Sequence, residues 1–243
     1  MPVKAAAVIA GAGRGERVGR KEGKQFLVLA GFPVLARSLM NVASVPEVEE
    51  IVLVVNADDI ERAADEIAPA YGGEKAVRVV EGGERRQESV LRAIRALSLP
   101  VDIVIVHDGA RPLASPALFG RVIKALCDCD CEGVISAVPV VDTVKEVEGG
   151  WVLRTPDRQS LWAVQTPQCF RAAALFDAHE RASREMVWAT DDAALLERYR
   201  YRVRVVEGEL TNLKITYASD LVLAEALLAK GGLGVAEPGR PGV

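Results

Sequence analysis

Residues 10–26 read AGAGRGERVGRKEGKQF, a stretch where glycines and cations mingle directly behind the apolar run VKAAAVI. In a chain of formal net charge −4, positive charge and bare backbone gathered in one loop are the chemistry of an anion cradle. Glycine admits positive φ and lets N–H groups approach phosphate oxygens closely. Two familiar cradles fail on spacing. The dinucleotide fingerprint G-x-G-x-x-G needs glycine at Glu16 or at Val18, and a P-loop ending on Gly23 and Lys24 needs glycine at Val18 and a hydroxyl residue at Gln25. What remains is Gly11, Gly13 and Gly15, then Arg17, then Lys24 seven residues on. Two cations aimed into such a cradle would neutralise the charge that gathers on a triphosphate during phosphoryl or nucleotidyl transfer. The competing account is a solvated basic loop.

A second signal is VIVHDGARP at residues 104–112. An aspartate just past a buried strand, followed by glycine, is placed to hold Mg²⁺ through one carboxylate while phosphates and water supply the other ligands. Asp108 is therefore the metal candidate and Arg111 a candidate anion clamp, against the plainer account of a turn aspartate paired with an arginine. A third is EGGERRQESV at residues 81–90, where Gly82 and Ser89 suit recognition of a nucleobase edge, although Gly-Gly is also ordinary turn chemistry. The only histidines are His107 and His179, and no Ser-His-Asp or Cys-His set is evident. An acceptor that is itself a phosphate would be anionic at neutral pH and would need no general base, only positioning and charge stabilisation. Cys127, Cys129 and Cys131 lack the C-x-x-C spacing of a structural zinc site and read as a helix end leading into a buried strand.

The elements that must carry these groups alternate along the chain. KAAAVI (4–9), IVLVV (51–55), VRVV (77–80), DIVIV (102–106), GVISAV (133–138) and RVRVV (202–206) read as strands, several continuously apolar as in a sheet covered on both faces. VLARSLMNVA, DDIERAADEIAPAY, RQESVLRAIRAL and SPALFGRVIKAL carry the three- and four-residue apolar spacing of helices. The expectation is an α/β fold with a doubly wound, mostly parallel sheet, in which the loops starting at Ala10, Gly82 and His107 converge beyond the strand ends. The rhythm breaks from Pro139 to Pro167, where VKEVEGGWVLR signals a hairpin around Gly149 and Gly150. That hairpin should project as a β-arm over about residues 139–165, and such arms commonly pair with a second copy, so a homodimer is expected. One domain over residues 1–230 and a flexible, Gly- and Pro-rich tail over 231–243 complete the expected organisation. No apolar run approaches the roughly 20 residues of a membrane span, the N-terminus lacks a signal-peptide pattern, and the net charge does not suggest a nucleic-acid binder. A cytoplasmic protein is the expectation.

Taken together, AGAGRGERV, GKQF, GGERRQESV, VHDGARP, PVVDTVK, DRQSLWAVQTPQCF, ATDDAALL and VEGELTNLKIT closely resemble the 2-C-methyl-D-erythritol 4-phosphate cytidylyltransferase family, in family order over nearly the whole chain. The resemblance implies a nucleotidyltransferase-type, Rossmann-like sheet with a dimerising β-arm. It implies that Arg17 and Lys24 stabilise the transition state at the α-phosphate of CTP, that Ala10, Gly11, Ala12 and Gly13 hold the nucleotide by backbone, and that Gly82 and Ser89 contact cytidine. Asp108 corresponds to the Mg²⁺- and substrate-binding aspartate, and Gly109 to a ribose contact. Arg158, carried by the arm into the partner's site, and Lys214 correspond to residues that position methylerythritol phosphate, with Arg111, Thr143, Thr166 and Thr190 around that acceptor.

The chain departs from the family at its first loop, where Ala10 and Gly11 replace proline and alanine, Arg17 is followed by Val18, and Gly23 replaces the proline before the lysine. A looser loop and a higher KM for CTP are expected from that change. Ribitol 5-phosphate is the nearest alternative acceptor, since both substrates are polyol phosphates. A nucleotide-sugar glycosyltransferase is disfavoured because Asp128-x-Asp130 precedes a strand instead of following one. A nucleotide sensor would have no need of the Arg17 and Lys24 pair.

Overall fold

The computed structural model describes residues 3–13, 23–98 and 100–231, with Lys24 in backbone only. The order of elements is β1 (Ala5–Ala10), β2 (Val28–Leu29), β3 (Phe32–Pro33), α1 (Val34–Ala43) and β4 (Val48–Val55). A helical stretch then contains α2 (Ile60–Arg62) and α3 (Ala68–Tyr71), joined by a π-helical turn, before β5 (Ala76–Glu81), α4 (Arg86–Arg95), β6 (Ile103–Asp108), α5 (Pro116–Cys127) and β7 (Gly133–Pro139). The chain continues through β8 (Glu146–Glu148), β9 (Trp151–Arg154), β10 (Trp162–Arg171), α6 (Ala172–Glu185), α7 (Asp192–Arg198), β11 (Val203–Glu207) and α8 (Ala218–Ala229). Among the described residues, seven strands form one sheet in the order β11-β7-β10-β6-β1-β4-β5. Every pairing in it is parallel except those of β10, which runs antiparallel to both β6 and β7.

Alternation along the central strands explains why helices cover both faces. Ala5, Ala7 and Ile9 of β1 join Ile51, Leu53, Ile103 and Ile105 in one core with α1 and α5, while Val8 joins Val52, Val54, Val104 and Val106 in a second core with α4, α6 and α7. A continuous apolar run therefore supplies two cores at once. Each expected strand and helix is present. From β1 the chain moves one way to β4 and β5 and then returns to β6 on the other side of β1, so the switch point lies at the carboxyl ends of β1 and β6. Ligands bind there in sheets of this class.

The region read as a break in the rhythm is divided. Its middle is the hairpin β8–β9, turned by Gly149 (φ +56°) and Gly150 (φ +87°) as the sequence indicates. Its end is not a departure from the sheet, because β10 passes between β6 and β7. Pro167 disguises this strand: it sits where the β10–β7 register shifts, between Val164 and Gln168, a place where a strand tolerates a residue without an N–H. Cys127 ends α5 and Cys131 is buried before β7, as expected; Cys129 and Cys131 form a disulfide. The tail from residue 232 onward, assigned to a flexible segment above, lies outside the described residues.

Candidate active site

The carboxyl ends of β1, β5 and β6 open into one cleft of about 1330 Å³. Ala10, Gly11, Ala12 and Gly13 form one wall, Gly82, Gly83, Arg86 and Ser89 another, and Asp108 and Lys214 line it with them. Convergence of the loops from Ala10, Gly82 and His107 is thus met. The glycines are there for close approach. A Cβ on Gly82 would lie 2.4 Å from the Ala12 methyl and 2.9 Å from Ser89 Oγ, and one on Gly109 would lie 2.6 Å from Leu35 Cδ1. Ser89 Oγ accepts from Gly83 N–H at 3.0 Å and donates to the Arg85 carbonyl at 3.1 Å, pinning the turn to the first turn of α4. That turn is secured further by the Glu88 carboxylate, which accepts from the N–H groups of Glu84 and Arg85.

Gly11 is less loose than its type suggests. Its N–H donates to the Val54 carbonyl at 2.7 Å, and an added Cβ would stand 2.9 Å from that oxygen and 3.1 Å from Leu35 Cδ1. The expected penalty for replacing the family's alanine with Gly11 therefore has no support here: neighbouring atoms already fix this backbone.

Asp108 is the electrostatic centre. Arg86 Nε lies 3.2 Å from Oδ1, Lys214 Nζ 2.8 Å from Oδ2 and Arg111 Nε 3.7 Å from Oδ2. Burial opposes the negative charge, but these three cations, Arg86 first, hold the carboxyl well below the ordinary carboxylate range. Lys214 reaches this point because residues 211–215 are laced to β6 and β10. Arg111 Nη1 donates to the Asn212 carbonyl, Asn212 Nδ2 to the Thr166 carbonyl and Ile215 N–H to the Ala110 carbonyl, each at 2.8 Å. Thr166 lies behind the aspartate. Its Oγ1 accepts the Asp108 N–H at 2.9 Å and meets His107 Nδ1 at 3.1 Å. Burial lowers His107 to about 4, so the ring is neutral; Nε2 donates to the Arg111 carbonyl at 3.2 Å and Nδ1 accepts from Thr166. Both histidines are fully buried and hydrogen-bonded within the fold, His107 to Thr166 and the Arg111 carbonyl and His179 to Asp192.

The remaining sequence-predicted residues fall in three places. Gly109, Arg111 and Thr166 back the cleft without lining it. Thr143, Arg158 and Thr190 are exposed and also do not line it, with Arg158 Nη1 donating to the Val141 carbonyl. Arg17 and the side chain of Lys24 lie outside the described residues. Sequence reasoning missed Arg86, whose Nη1 also meets Asp192 Oδ2 at 2.7 Å, while Asp192 Oδ1 takes His179 Nε2 at 2.9 Å. A signal existed at the start of α7. Asp191 caps that helix by accepting Ala194 N–H, so its neighbour Asp192 is a second acidic residue that capping does not require. Among the described residues no three His, Cys, Asp or Glu side chains gather as a metal-binding group.

A doubly wound sheet with a glycine-walled, cation-bearing cleft at its switch point defines an α/β protein that handles a phosphorylated ligand. Residues 5–230 match the family model described as 2-C-methyl-D-erythritol 4-phosphate cytidylyltransferase. The enzyme of that name from Microcystis aeruginosa is 43% identical over 225 residues, covering 92% of this chain and 98% of its own; that from Geobacter metallireducens is 41% identical, covering 91% and 96%. Among solved structures, the 4-diphosphocytidyl-2C-methyl-D-erythritol synthase of Anaerococcus prevotii superposes with TM-score 0.83 at 33% identity, over 94% of this chain and 97% of that one. The Thermus thermophilus 2-C-methyl-D-erythritol 4-phosphate cytidylyltransferase gives 0.74 at 36% identity, over 94% and 100%. The chain belongs to the 2-C-methyl-D-erythritol 4-phosphate cytidylyltransferase family.

Proposed function

We infer that the protein transfers the cytidylyl group of CTP to 2-C-methyl-D-erythritol 4-phosphate, releasing pyrophosphate and forming 4-diphosphocytidyl-2-C-methyl-D-erythritol for isoprenoid synthesis. The observation that carries this reading is Lys214 meeting Asp108 in the glycine-walled cleft, in a chain that matches the family over residues 5–230. The acceptor phosphate is already an anion and attacks the α-phosphorus in line, so the protein's work is alignment and charge stabilisation. Backbone of residues 10–13 takes the phosphates, Gly82 and Ser89 the cytidine, and Gly109 the ribose side. Arg17 and Lys24 offset charge on the α-phosphate, while Lys214, Arg158, Arg111, Thr143, Thr166 and Thr190 serve the acceptor.

Asp108 suits a divalent cation in a specific way. Its oxygens accept from Arg86 and Lys214 yet keep free lone pairs, and it is a single carboxylate beside a phosphate cradle. Mg²⁺ takes one carboxylate and completes its shell from phosphates and water; when bound it would offset charge on the triphosphate. The arm supports a homodimer: Val147, Trp151, Val152 and Leu153 are exposed on a two-stranded hairpin, which by itself buries too little to be stable, and Val141 is exposed just before it. Arg158 would then serve the partner's cleft. No helix among the described residues is long and apolar enough to cross a membrane, and a cytoplasmic location matches a CTP-consuming reaction.

Pyrophosphate release with CTP and Mg²⁺, offering methylerythritol 4-phosphate and ribitol 5-phosphate in parallel, tests the assignment. Turnover confined to the first and lost in Arg17→Ala supports it. Preference for ribitol phosphate moves the protein to another pathway, and CTP binding without turnover makes it a sensor. Mixing Arg158→Ala with Lys24→Ala protein tests the shared site, since two inactive homodimers should regain activity on subunit exchange.

A further inference from the structure

Residues 186–191 connect α6 to α7 and carry Thr190. The first turn of α4 grips this segment across some 100 positions of sequence. Gln87, buried on α4, donates from Nε2 to the Val187 carbonyl at 2.9 Å and accepts the Ala189 N–H at Oε1 at 3.0 Å. One residue earlier, Arg86 holds Asp192 at 2.7 Å, with His179 behind it. One residue earlier again, the Arg85 guanidinium lies 3.9 Å from the centre of the Trp188 ring. Asp191 is fixed from the other side by Gln168 Nε2 at 2.8 Å. Thr190 stands at the crest of the fastened segment, exposed, its hydroxyl without a partner among the described residues.

We propose that Gln87 is a positioning residue for the acceptor half of the site: it fixes the peptide that presents Thr190 and so ties acceptor binding to the turn of α4 that forms the nucleotide wall. A primary amide is the chemical requirement, because one side chain must both donate to a carbonyl and accept from an N–H two residues on. A helix turn that shapes one wall of the cleft through Gly82 and Ser89 and also sets the backbone beneath Thr190 aligns the two substrates by one rigid element. In-line transfer loses rate steeply with sub-ångström misplacement. The proposal rests on Thr190 serving the acceptor, as read above.

Gln87→Met keeps length and volume and removes both bonds. The expected result is a KM for methylerythritol phosphate raised about tenfold, the scale of two backbone hydrogen bonds of modest net strength, with KM for CTP close to wild type and a thermal midpoint lowered by several degrees in a protein that still folds. Gln87→Glu, which keeps the bond from Ala189 N–H and loses the one to Val187, should fall between; it also serves if the methionine variant folds poorly. Thr190→Ala should raise the acceptor KM by itself, and the double variant should be no worse than the poorer single one, because Gln87 acts through Thr190. A rise for Thr190→Ala with none for either Gln87 variant overturns the positioning role alone. Silence in Thr190→Ala overturns the acceptor role of Thr190 and the proposal with it. Equal loss for CTP and acceptor, or additive effects in the double variant, also overturns it.

Discussion

Asp192 is fully buried at the start of α7 and ionised between Arg86 and His179, which makes it a measurable source of acid sensitivity. Burial opposes its charge, but the Arg86 guanidinium and the His179 bond together lower it to about 2. An ordinary aspartate titrates near about 3.9, so ionisation of this one group stabilises the fold by about 2 kcal/mol at neutral pH. The sign follows from the depressed value. The contribution is complete above about pH 5, begins to fall as the unfolded chain takes up its proton first, and is roughly halved by about pH 3. Asp192→Asn keeps an oxygen for His179 and abolishes the titration. Urea unfolding of both proteins from pH 7 to pH 3 should show the wild type more stable throughout the neutral range, with the gap constant from pH 7 to 5 and then narrowing by about 1 kcal/mol by pH 3. A gap that stays constant or widens toward acid would refute the reading of Asp192 as a charged, paired group.

Three further outcomes rest on separate observations. Gly11→Ala should lower stability by about 1–3 kcal/mol and raise KM for CTP, because the new methyl lies 2.9 Å from the Val54 carbonyl; improved CTP binding would restore the view of a loose loop. Lys214→Met should cut kcat by about a hundredfold, the scale of one electrostatic donor, while CTP binding measured by calorimetry stays within a few-fold of wild type. Cys169 is buried and burial pushes its thiol well up, whereas Cys127 is exposed, so iodoacetamide followed by peptide mapping should label Cys127 and spare Cys169 until the protein unfolds.

Much of the site was legible because its chemistry is local. A glycine turn after a strand and an aspartate at a strand end can be read from neighbours in sequence, and the convergence of their loops follows from the parallel sheet. The same local logic found the hairpin arm from Gly149 and Gly150. It failed at β10, where Pro167 masks a central strand, and at Arg86, Gln87 and Asp192, whose roles lie in partners about 100 residues away.

By itself, then, the sequence determined the alternation of strands and helices, the two-sided core of β1, β4 and β6, and the identity of the glycines and charged groups at the strand ends, since period and turn chemistry depend on adjacent residues. Only the tertiary structure decided which cations meet Asp108, that Gly11 is held and not loose, and that α4 fastens the segment bearing Thr190. Those outcomes depend on distances between side chains brought together by the sheet's order, and a buried charge or amide is defined by the partner that satisfies it.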